Sequence, residues 1–318
     1  MSRRLLQPFA LAALLIVASA CAGARPGASA ASVSPVPVGA QRVVASATGR
    51  TIPFFELADA AAKADVVFFG EQHDDDETHR AELALLSAIG ERRSKVVLSL
   101  EMFERDVQPL VDAYLAGRMT EEEFRAQSRP WPNYGTDYRP LLELAKAKGW
   151  PVIASNIPRR LASTISRRGL PVIDSLPAGD RAFVARELIC PQDKYYENFV
   201  AVMGGGHGGA GGAPAPSAPG ARSMTDLFYE SQCSKDETMA ESIVAARTKA
   251  GRGAIIVHFN GSFHSDFGLG TASRVTRRLP DAKTLVVSAV PTPDPAKTKA
   301  AEFLDRGQFI ILALRTKP

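Results

Sequence analysis

The sequence predicts an α/β fold: a largely parallel sheet with helices on both faces, plus a mainly helical insertion. Two observations carry this expectation. Val66-Val67-Phe68-Phe69 and Ala254-Ile255-Ile256-Val257 are unbroken apolar runs bounded by Gly and polar residues, the pattern of strands covered on both faces. Segments with helical spacing separate such runs, and strands that alternate with helices of this length pair in parallel. A chain of 318 residues that is 45% hydrophobic can bury the core such a sheet needs.

The elements follow in chain order. Residues 1–20 read as a leader, with Arg3 and Arg4 ahead of the apolar run from Leu11 to Val17 and then Ala18-Ser19-Ala20. That run is shorter than the roughly 20 residues a membrane span requires. Residues 21–41, rich in Ala, Pro, Ser and Gly, read as a flexible tether. The α/β core is expected at 42–165 and 236–318. Its strands are placed at Val66 to Phe69, Lys95 to Leu100, Val152 to Ala154, Ala254 to His258, Thr284 to Val290 and Phe309 to Leu314, with a small hairpin over Arg42 to Thr51. After His73, Asp74 and Glu77 have capping-box spacing, and Leu83, Leu86 and Ile89 give the following helix an apolar face. Glu101 is expected to close its strand and open a helix carrying Val107, Leu110, Val111 and Leu115. Over 166–235 the strand signal fades, which predicts the helical insertion. Within it, 204–222 is almost entirely Gly, Ala, Pro and Ser and reads as a disordered loop.

The small residues ahead of Cys21 resemble a bacterial lipobox, although Ala18 stands where Leu is commoner. The resemblance implies a lipidated Cys21 that holds the chain on a membrane of the cell envelope. Ala22 after it resembles a sorting signal for the periplasmic face of the outer membrane. Export makes Cys190 and Cys233, the remaining cysteines, a candidate disulfide, with buried free thiols as the alternative. Removing residues 1–20 takes Arg3 and Arg4 away and lowers the formal charge from +4 to +2, too little for a nucleic-acid partner.

The chemistry gathers where two apolar runs end, in Gly70-Glu71-Gln72-His73 and in His258-Phe259-Asn260-Gly261-Ser262-Phe263-His264. Ligands of open α/β sheets collect at such carboxyl ends. Glu71 and His73, two apart, project to the same side of an extended segment, while His258 and His264 are expected to bracket a turn at Asn260-Gly261. With His73, His258 and His264 holding a divalent metal and Glu71 or Glu101 as general base, the chain would be an exported metal-dependent hydrolase. The plainer reading makes each histidine a satisfied hydrogen-bonding residue and each glutamate a helix cap. His79 shares a helical face with Leu83 and Leu86 and reads as packing, and His207 reads as a solvated loop residue. Ser262, His264 and Asp266 lie too close in sequence for a catalytic relay, and no G-x-S-x-G surrounds Ser262.

Haem is the other cofactor these residues suit. Without C-x-x-C-H it would be bound noncovalently, in an apolar slot with a His, Tyr or Met ligand to iron. Arg159 and Arg160, after the Val152 strand, are placed to meet its propionates. Tyr138, Tyr195, Tyr196 and Met203 are the candidates for the slot and the iron.

Four segments then resemble one family. Phe68-Phe69-Gly70-Glu71-Gln72-His73-Asp74, Ser155-Asn156-Ile157-Pro158-Arg159, Asp236-Glu237-Thr238-Met239-Ala240 and the second histidine motif are similar to successive motifs of the ChaN-like haem-binding lipoproteins, within the Tiki/TraB and erythromycin-esterase-like superfamily. The resemblance covers roughly residues 42–314. It implies an α/β fold, a lipid anchor, a part in haem or iron acquisition with an unidentified transport partner, iron ligation by tyrosine or histidine, and two chains paired around stacked haems. The superfamily's Glu-x-His pocket corresponds to Glu71, His73 and His264 and supports hydrolysis in some relatives. Noncovalent haem binding is therefore the first reading and hydrolysis the alternative.

Overall fold

The computed structural model describes residues 41–206 and 222–315. The leader, Cys21, the tether before residue 41, His207 and most of the 204–222 run lie outside the described residues. The elements are β1 (Gln41–Ala45), β2 (Arg50–Ile52), α1 (Phe54–Ala61), β3 (Val66–Glu71), α2 (Asp76–Arg92), β4 (Val96–Glu104), α3 (Gln108–Leu115), α4 (Glu121–Ser128), α5 (Arg139–Lys148) and β5 (Val152–Asn156). There follow α6 (Arg159–Arg168), α7 (Ala178–Arg181), α8 (Lys194–Gly206), α9 (Met224–Ala250), β6 (Ile255–Gly261), α10 (Gly270–Arg278), β7 (Thr284–Thr292) and β8 (Phe309–Leu314). No helix among the described residues is long and apolar enough to cross a membrane.

The strands form one sheet in the order β2-β1-β8-β7-β3-β6-β4-β5. From β8 to β5 every pair is parallel, and the β1–β2 hairpin joins β8 antiparallel. Alternation along the strands divides the core, because successive side chains leave on opposite faces. Val67, Phe69, Leu98, Leu100, Val257 and Phe259 meet Leu57, Leu85, Leu86, Ile89, Val111 and Leu141 from α1, α2, α3 and α5. Val66, Phe68, Val97 and Ile256 meet Ala240, Ile243, Ala272 and Val275 from α9 and α10. Each fully buried Leu, Ile or Phe contributes about 1.5–3 kcal/mol of transfer free energy. The unbroken apolar runs are thus explained by helices on both faces, as expected.

Four local expectations need correction. Asp75, not Asp74, caps α2: its carboxylate accepts from the Thr78 amide at 2.8 Å, and Asp74 instead pairs with Arg315 at 2.8 Å. Three consecutive aspartates offer three caps, and spacing alone does not choose among them. β4 runs on to Glu104 past a register shift against β5, so Glu101 lies inside a strand and the helix begins only at Gln108. Asn260-Gly261 is the end of β6, paired with Gly70 and Glu71, and the turn comes at Ser262–His264. The boundary expected at 235/236 falls inside α9, one continuous 27-residue helix that starts from a Ser223–Asp226 capping box.

The insertion is fastened to the core through α9. Cys190 and Cys233 form a disulfide with Cα atoms 5.7 Å apart. Glu237, fully buried, meets Arg277 at 2.9 Å and Arg274 at 3.2 Å and accepts from the Ile189 amide at 3.2 Å. Replacing both cysteines by serine is expected to lower unfolding free energy by about 3–4 kcal/mol, since the bond closes a loop of 43 residues in the unfolded chain. Urea midpoints of the oxidised wild type and the double variant measure this. Equal midpoints would refute it.

Candidate functional site

The carboxyl ends of β3, β6, β4 and β5 lie side by side, because β6 returns between β3 and β4. Glu71, last in β3 and 1% exposed, pairs in register with Gly261 of β6. Two residues on, the His73 Nδ1 lies 2.5 Å from Glu71 Oε1, which also accepts from the Tyr138 hydroxyl at 2.7 Å. Burial pushes the Glu71 carboxyl up, but hydrogen bonds from Glu82 and His73 and the nearby imidazoles of His79 and His73 outweigh it and hold it below its ordinary value. Burial likewise works against charge on His73, yet the bond to Glu71 and the charges of Glu101 and Glu71 raise it. The His73 side chain is 45% exposed and meets Trp131 edge to face at 4.8 Å. Gly261 is what lets the ring lie there, since a Cβ at 261 would come within 2.8 Å of its Cε1 and Nε2.

A second histidine–carboxylate chain starts from β4. Glu101 accepts from the Gly261 amide at 2.8 Å and faces His264 Nε2 at 3.3 Å. The other ring nitrogen, Nδ1, lies 2.7 Å from Asp236 of α9. Asp236 also accepts from Tyr195 at 2.6 Å and Thr271 at 2.8 Å, so a fully buried carboxylate is saturated. Burial disfavours an imidazolium here, but the charges of Glu101 and Asp236 prevail and raise His264 to about 10. His264 is therefore a buried cation between two carboxylates at neutral pH.

These chains border an open cleft of about 760 Å³. Its walls include Trp131, Ile157, Phe199, Met203, Phe228 and Phe263, and Arg159 and Lys235 bring positive charge to it. Of the residues expected from sequence, the cleft brings together Glu71, His73, Glu101, Arg159, Met203 and His264. The others stand elsewhere. Tyr138 is buried behind Glu71, and Tyr195 is buried against Asp236. Tyr196 donates to Asp226 at 2.7 Å. Arg160, about 100° round the helix from Arg159, pairs with Asp180 at 2.7 Å. Among the described residues no tyrosine lines this cleft.

His258 does not line the cleft with His73 and His264. It lies within β6, fully buried, with Nδ1 2.9 Å from Ser99 Oγ and its ring edge-on to Phe68. Burial pushes its imidazole down to about 4, so it is neutral. The strand continues past 258, so His258 sits inside the sheet and not on the cleft wall beside the other two histidines of the expected centre. Trp131 and Lys235 were missed because nothing in their local sequence marks them. Asp236 was missed as a site residue although Asp236-Glu237 stood in a recognised motif; between Lys235 and Glu237 its charge does not stand out, so that motif was the available signal.

Comparison with known proteins agrees with this architecture. The structure superposes with a TM-score of 0.62 on a solved structure described as "Cofacial heme binding to ChaN of Campylobacter jejuni", at 14% identity, covering 86% of this chain and 97% of that one. At that identity the likeness concerns the fold. Protein RETICULATA-RELATED 5, chloroplastic, of Arabidopsis thaliana is 25% identical over 236 residues, 70% of this chain. The chain spans about a third, 31%, of that relative's length. The model of the family described as haem-binding uptake, Tiki superfamily, ChaN matches residues 57–275, a stretch that holds both histidine motifs, the insertion and α9. This chain therefore belongs to the ChaN family of the Tiki superfamily.

Proposed function

We propose that this protein binds haem noncovalently in the cleft, as an exported, lipid-anchored protein of the cell envelope that takes part in haem acquisition. The observation that carries the reading is His73 on the wall of an apolar cleft, with Nδ1 tied to Glu71 and Nε2 as the remaining donor. A ligating imidazole is commonly oriented in this way, by a carboxylate on its other nitrogen. Haem would supply an iron that accepts one further nitrogen and two propionates that seek cations. His73 fits the first need, Arg159 and Lys235 fit the second, and Met203 and the aromatic walls fit the porphyrin faces. A cleft of this volume falls in the range used for cofactor-sized ligands, about 300–1,000 Å³. Exposed Val202 and Met224, near cleft-lining Met203 and Phe228, offer an apolar surface that a second copy can cover, and Cys21 would supply the anchor.

General-base hydrolysis is less well served by the same groups. Burial would raise Glu101, but the charge and hydrogen bond of His264, the charge of His73 and the Gly261 amide hold it well below the usual carboxylate range. A base that low is poorly matched to proton abstraction near neutral pH.

The test is a haemin titration of the exported chain without its lipid, read by absorption and by light scattering. Saturable binding with a shifted Soret band is expected, with a rise in mass if two copies close over the haem. Haemin that stays free up to solubility-limited concentrations would overturn the proposal.

A further inference from the structure

α2 carries His79 and Glu82 one turn apart, and both are buried against Glu71. His79 Nδ1 lies 2.8 Å from Glu82 Oε2 and 3.7 Å from Glu71 Oε2. One donor atom from each of the three residues lies within 4.8 Å of the others. Two further observations point to a ligand. Apart from the proton that Glu82 can lend to Glu71, the buried oxygens Glu71 Oε2 and Glu82 Oε1 have no hydrogen-bond donor, so either that proton or something else positive must meet them. His79 Nε2 has two acceptors in reach, the His73 carbonyl oxygen at 3.3 Å and Asp137 at 3.6 Å, so the tautomer with its proton on Nε2 is supported there and turns the Nδ1 lone pair toward the two carboxylates. That is the arrangement of a ligating histidine whose other nitrogen donates to an outer acceptor.

We propose that Glu71, His79 and Glu82 form a binding site for one divalent transition cation of the zinc, manganese or iron(II) class. Two carboxylates cancel the charge of such a cation, and a nitrogen–oxygen donor set suits this class. The competing occupant is a proton shared between Glu71 and Glu82, and the cation displaces it. The site lies behind His73 on the α2 side of Glu71 and uses no cleft atom of His264, so it stands whether or not haem fills the cleft.

The test uses protein stripped by chelator and free of haem, titrated with zinc chloride and with manganese chloride by calorimetry. Retained metal is counted after desalting. About one retained equivalent is expected for at least one of the two ions, weakened roughly tenfold or more in Glu82→Gln. Glutamine reproduces the shape of a protonated glutamate, so this variant keeps the fold that the proton-sharing pair would have. X-ray absorption of the loaded wild type should give a shell of one imidazole with oxygen donors. No retained cation, unchanged binding in Glu82→Gln, or a shell of two or more imidazoles would each overturn the assignment.

Discussion

Haemin is expected to bind His73→Ala about 100-fold or more weakly than wild type, with a Soret band of changed position. The side chain is nearly half exposed, so its removal costs little stability and the loss reads out on the ligand. Glu71→Gln separates ligand from orienting group. Glutamine keeps the shape but removes the carboxylate that fixes Nδ1–H, and a loss of about 10–100-fold is expected, with a smaller spectral change. Replacing Met203 by Ala should lower affinity without moving the band, because it removes wall and not ligand. A His73→Ala protein with wild-type affinity and spectrum would take His73 out of the site.

Asp236→Ala is expected to lower unfolding free energy by about 3–5 kcal/mol, because it leaves a buried imidazolium and two buried hydroxyls without their acceptor. The same cluster predicts a pH dependence. His264 has a folded value of about 10, above the ordinary histidine value of 6.5. Its contribution is therefore complete below about 6.5 and is lost progressively as pH rises toward about 10. Asp236 is shifted the other way: burial raises it, but the charge and bond of His264 and the charge of Arg274 lower it further. Its contribution is present above the ordinary aspartate value and fades as pH falls below that. Urea midpoints measured from pH 4 to 10 should fall on the alkaline side of 6.5, and Asp236→Ala should show a shallower fall. A wild-type midpoint that stays level to pH 10 would show that His264 is not held as a cation.

How much of this was legible in the sequence depends on how local each signal is. Strand runs such as Val66 to Phe69 and Ala254 to His258 were readable because burial on both faces removes polar residues from consecutive positions. Their ends were not. β4 passes Glu101 through a register shift, and β6 keeps Asn260 and Gly261 because Gly70 and Glu71 pair with them. Those extensions explain why His258 is a neutral residue within the strand, away from the cleft wall. The tyrosines misled for a related reason. A buried tyrosine needs an acceptor for its hydroxyl, and Tyr138 and Tyr195 found Glu71 and Asp236, partners 67 and 41 residues away.

The sequence by itself determined the parallel α/β architecture, the Glu71–His73 pair, the place of His264 at a strand end, the disulfide partners and the family. Each is written in neighbouring residues or in the scarcity of cysteine. The tertiary structure alone decided which side chains share the cleft and which are sealed behind it. Strand order brings Glu71, Glu101 and Gly261 together, α9 delivers Asp236 to His264, and one helical step sends Arg159 and Arg160 to different neighbours. Such contacts join residues far apart in the chain, and their geometry is set by packing against the sheet rather than by local propensity.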